Sequence, residues 1–146
     1  MMNSDGTLGI KPDRVTDLFW MRQFFSILSA LYIAGIFIFP RVIPGSILSR
    51  VWNPYSLLHI PMYGVLMVLL NLAFEPQIIF QRKVSSGISF FFLPGGIATG
   101  VGILDEFHQI FIPYRNASVG DVTLDIAGII LAAIFTIFNQ QRGNNE

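Results

Sequence analysis

The stretch "DEFHQIFIPYR", Asp105 to Arg115, concentrates the chemistry of a chain that otherwise avoids charge. Two acids and an imidazole, Asp105, Glu106 and His108, are groups that can exchange protons or ligate a divalent cation. Gln109 adds an amide, and Arg115 a planar fork suited to a phosphate or carboxylate. Just downstream, "SVGDVTLDIAGII" places Asp121 and Asp125 at the start of an apolar run. His59 opens an earlier run, with Tyr63 four residues on and on the same helix face. Asp125 lies about a turn deeper than Asp121. An unpaired carboxylate there would cost about 2.5–3.5 kcal/mol on insertion scales, so it should be paired or protonated.

Plainer readings stand beside these. Ser118 and Asp121 fit a capping box that starts a helix, Arg115 can anchor to lipid phosphate or pair with Glu106, and Gly128 and Ala132 can permit close helix packing. Nucleophile-elbow, zincin and Walker patterns are missing from the sequence. Asp-x-x-His is too short and common a spacing to assign a metal, and nothing names a cofactor.

The elements that must position these groups are apolar. Of 146 residues, 53% are hydrophobic and 12% charged, with mean hydropathy +0.61. That charged share is about half the usual one and cannot cover a soluble surface of this size. Nine basic and nine acidic residues give no net charge, so no basic field points to nucleic acid. There are no cysteines, hence no disulfide or thiolate metal site.

Four apolar runs are helical candidates, because lipid leaves no water to satisfy an open backbone. They are Leu18–Phe39, Tyr55–Phe74, Val84–Leu104 and Val122–Phe138, each of about 17–22 residues and long enough to cross a bilayer. Pro40 and Pro44 are expected to end the first, which reads as a retained span rather than a cleaved signal. The third carries five glycines, read as packing devices, and Pro94, read as a kink. The expected fold is all-α: a polytopic membrane protein, a compact bundle of four transmembrane helices. Residues 1–18 form a polar leading segment, 19–138 the membrane domain and 139–146 a polar tail. Six basic residues (Lys11, Arg14, Arg22, Arg82, Lys83 and Arg142) flank one side of the spans and three (Arg41, Arg50 and Arg115) the other. This bias predicts a cell-membrane protein with both termini cytoplasmic.

Helical spacing puts Asp105, His108, Gln109 and Ile112 on one face, with Glu106 about 100° round. His59, Asp121 and Asp125 belong to the same outer level, so one outer pocket is expected.

The motif "DEFHQIFIPYRNASVGDVTLDIAG" resembles the signature of the VanZ-like integral membrane proteins. Glu106, Gln109, Pro113, Arg115, Ser118, Asp121 and Gly128 match it, as does the pair His59 and Tyr63, and the resemblance spans about residues 20–138. Two positions depart from the pattern: Asp125 stands where the family usually has asparagine, and Ser56 where it has lysine. The resemblance implies a cell-envelope protein whose namesake is linked to low-level resistance to the glycopeptide teicoplanin. It implies a pocket for an envelope lipid, or for a lipid-linked or glycopeptide-like ligand. His59, Glu106, Gln109, Arg115 and Asp125 would bind, and Tyr63, Asp105, His108, Ser118 and Asp121 would support. A membrane-embedded enzyme using His108 and Glu106 as acid and base, and a small transporter, are the alternatives.

Overall fold

The computed structural model describes residues 12–42, 54–75, 89–113 and 117–144. Helix α1 runs Pro12–Val42. A 3-10 turn, Pro54–Leu58, leads into α2, His59–Phe74. Helix α3 spans Ser89–Gln109, and α4 spans Val119–Asn144. No strand occurs among the described residues, so the all-α expectation holds.

Neighbouring helices run in opposite directions. Tyr32 of α1 donates to the Met62 carbonyl at 3.1 Å, while earlier residues of α1 meet Leu70 and Phe74 near the end of α2. The end of α3 meets the starts of α2 and α4. The core comprises Ile36, Tyr63, Leu66, Met67, Leu70, Ala98, Val101 and Ile129, and α2 is the central helix because its contacts with the other three are the most extensive. The closest approach is between α2 and α4. A Cβ added to Gly128 would lie 3.0 Å from both the carbonyl carbon and the Cα of Ile60, closer than side chains tolerate. Gly128 therefore does the packing work expected of a small residue between helices.

Polarity is inverted relative to a soluble bundle. Trp20, Phe24, Phe92, Phe111, Leu131 and Phe135 are all more than half exposed, whereas His59, Asp105, Glu106, Gln109 and Asp125 are buried. Exposed apolar side chains outside and a buried polar cluster within suit a lipid surround. Among the described residues, three helical stretches are long and apolar enough to cross a membrane: Thr16–Ile38, Ser56–Phe74 and Val119–Asn139. The α3 helix has the length, at 21 residues, but glycines and the polar run at its end dilute it.

Two boundaries differ from the sequence reading. Helix α1 continues past Pro40 to Val42, because a proline in a last turn removes only one backbone bond. Helix α3 carries its helical geometry past Leu104 through Gln109, with Pro94 buried inside it, while residues 84–88 of the expected run lie outside the described residues. The third-span glycines also divide. Gly95 touches Ile129 and Gly102 faces Asp125, but nothing among the described residues lies within 4 Å of a Cβ at Gly96 or Gly100, so these two are not packing devices. Gly87 lies outside the described residues.

Candidate functional site

Buried residues of α3 recur at helical spacing: Pro94, Ala98, Val101, Gly102, Asp105, Glu106 and Gln109. This single stripe is apolar at its start and acidic in its last turns, so the face that packs the bundle also delivers the polar groups. The starts of α2 and α4 come to the same end and supply His59, Asp121 and Asp125.

His59 and Asp125 form a buried pair, Nδ1 to Oδ1 at 2.7 Å, across 66 positions of sequence. Asp125 is thereby partnered, as its depth requires. Its second oxygen, Oδ2, has no hydrogen-bond partner among the described residues. That oxygen rests on Gly102, where a Cβ would come within 2.6 Å of it. The glycine leaves room for the carboxylate. Tyr63 lies one turn along from His59 with its ring nearly parallel, 6.1 Å between centroids, and is fully buried.

Glu106 is held from both sides. Its Oε2 accepts the Ser118 backbone N–H at 2.6 Å, and its Oε1 accepts from the Gln109 amide at 3.3 Å. The same amide donates to Asp105 Oδ2 at 3.0 Å, so Gln109 ties the two acids together through i,i+3 and i,i+4 spacing. Ser118 caps α4, its Oγ accepting from the Gly120 N–H at 3.1 Å. Half of the expected capping box is absent. The Ser118 N–H that Asp121 would have accepted goes to Glu106, which leaves the half-buried Asp121 carboxylate to turn toward His59 and Glu106. One ligating atom from each of His59, Glu106 and Asp121 lies within 4.8 Å of the other two.

The structure thus brings together His59, Tyr63, Asp105, Glu106, Gln109, Ser118, Asp121 and Asp125. It does not bring in His108. That ring is half-buried against α1, edge-on to Phe37 at 5.4 Å, because Asp105, Glu106 and Gln109 occupy the inward face. Arg115 lies outside the described residues. Sequence reasoning missed Gly102, although its place one turn before Asp105 on the buried stripe was a usable signal. A cavity of about 430 Å³ opens toward the other end, lined among others by Arg22, Ser26, Leu70 and Phe74, and shares no residue with this cluster.

A helical bundle with a lipid-facing exterior and a buried acid–imidazole cluster at one end is the build of an integral membrane protein. The VanZ/LLP1 family model matches residues 16–139, and the chain belongs to that family. No curated protein and no solved structure gives a significant match.

Proposed function

We propose that the chain is a four-span cell-membrane protein, both termini cytoplasmic, whose outer-end cluster binds the polar head of an envelope lipid or lipid-linked ligand. The observation that carries this reading is the convergence of His59, Glu106, Gln109 and Asp125, each no more than 5% exposed, at one end of an otherwise apolar bundle. Burying so many ionisable groups where hydrocarbon surrounds the protein is costly, and their retention marks a working site. His59, Glu106 and Gln109 shape the pocket and hydrogen-bond the head group. Arg115, which follows Pro113 in the sequence, supplies the two-pronged contact to a phosphate or carboxylate.

Mass spectrometry of the intact protein released from membranes tests this. Wild type is expected to carry a defined lipid or lipid-linked species. Glu106→Gln and Arg115→Lys should insert and fold but lose it, since Lys keeps the charge without the planar fork. Bulk lipid in all three would overturn the reading. Growth under teicoplanin, compared across the same variants, tests the link to resistance.

One observation favours a second reading, a membrane-embedded enzyme. Asp125 fixes His59 through Nδ1 and leaves Nε2 to face a substrate, the arrangement of an oriented general base. His59, not His108, would be that base. Turnover of a lipid-linked substrate lost in His59→Gln would separate catalysis from binding.

A further inference from the structure

His59, Glu106 and Asp121 come from α2, α3 and α4, and their ligating atoms already lie within 4.8 Å of one another. Metal–ligand bonds of about 2.0–2.2 Å place neighbouring ligands about 3–4 Å apart, so the side chains need close by only about an ångström. With Nδ1 engaged by Asp125, the imidazole offers Nε2. A carboxylate behind a ligating histidine is the usual support of such a site, fixing the ring and raising its basicity. Glu106 is likewise preset by the Ser118 N–H and the Gln109 amide.

A separate observation concerns the residue stacked on His59. The Tyr63 hydroxyl is fully buried and has no hydrogen-bond partner among the described residues, while its ring stacks on His59. Buried polar groups left without partners are rare, and this one stands where a bound water or ligand oxygen would satisfy it. Among the described residues, Glu106, Asp121 and Asp125 gather round one imidazole, a set of oxygen and nitrogen donors of the kind a cation takes.

We propose that His59, Glu106 and Asp121 bind one divalent cation, with Asp125 as the positioning residue for His59. Two oxygens and one imidazole nitrogen suit a first-row ion of the Mn²⁺ or Zn²⁺ kind, and three protein ligands leave positions open for water or a ligand's oxygen. The site stands on side-chain geometry and goes beyond the head-group reading. Where both hold, the cation is what a phosphate would bind.

The test uses the full chain in detergent, stripped with chelator and titrated with Mn²⁺, followed by electron paramagnetic resonance. Wild type is expected to bind one Mn²⁺ per chain. Asp125→Asn should weaken binding roughly 10–100-fold, as loss of a supporting carboxylate does, and Asp121→Asn, which removes a ligand, at least as much. Asp17→Asn, on the exposed surface of α1, should bind as wild type does. Equal affinity in Asp121→Asn and Asp17→Asn, or no binding at millimolar Mn²⁺, overturns the site. Should a variant fail to fold, the wild type still decides: its bound Mn²⁺ must show coupling to an imidazole nitrogen, and absence of that coupling overturns the proposal. Lipid content is measured on the same samples. Cation without a defined lipid upholds this site and sinks the head-group reading, and a defined lipid without cation does the reverse.

Discussion

At the scale of single residues, the cluster rests on the pair between His59 and Asp125, exposed by 7% and 1% at their side chains. A fixed charge stranded in such a place costs about 3–5 kcal/mol. Imidazole can stay neutral, so the penalty for losing Asp125 is smaller, that of a buried donor without a partner. Asp125→Ala is expected to destabilise by about 1–3 kcal/mol. Asp125→Asn keeps an oxygen on the Nδ1–H and should cost under about 1 kcal/mol. Thermal unfolding in detergent measures both, and an Asp125→Ala protein as stable as wild type would mean that the pair does not form. Glu106 plays a different part, since it takes the N–H of Ser118 and so fastens the end of α3 to the start of α4.

At the scale of elements, the glycines sort by what surrounds them. Gly128 sits where α4 touches the α2 backbone at Ile60, and Gly64 faces it from α2, a Cβ there lying 3.4 Å from the Gly128 carbonyl. Gly128→Ala must push two backbones apart and is expected to destabilise by about 1–3 kcal/mol, as overpacking does. Gly96→Ala and Gly100→Ala meet nothing among the described residues and should be neutral or gain up to about 1 kcal/mol from helix propensity. Detergent melting curves of the three would check the contrast. Much of this scale was legible in the sequence, because apolar run lengths and the small residue at 128 follow from what lipid and close packing demand. The Ser118 cap was legible too, since its motif is local. The pairing of His59 with Asp125 was not. It depends on how α2 and α4 are rotated about their axes, and no spacing within one helix encodes that. The inward face of α3 was only half legible: Asp105 and Gln109 define it equally well with Glu106 or with His108, and only the neighbouring helices decide.

At the scale of the whole molecule, the alternating directions of α1 to α4 put the start of α1 and the end of α4 at the same end, opposite the cluster. If α3 crosses the membrane as the others do, the two ends face the same compartment. An odd number of crossings would put them on opposite sides. The absence of cysteine makes the distinction direct, because any introduced thiol is the only one in the chain. Asp17→Cys at the start of α1 and Asn139→Cys near the end of α4 are both at exposed positions, as is Ala117→Cys between α3 and α4. With four spans and the basic excess inside, an impermeant thiol reagent applied to intact cells should label only Ala117→Cys. The other two should react after permeabilisation. Labelling of Asp17→Cys or Asn139→Cys alone in intact cells would establish an odd number of crossings. Labelling of both, with Ala117→Cys protected, would keep four spans but place the acid–imidazole cluster at the cytoplasmic face, where an envelope ligand could not reach it.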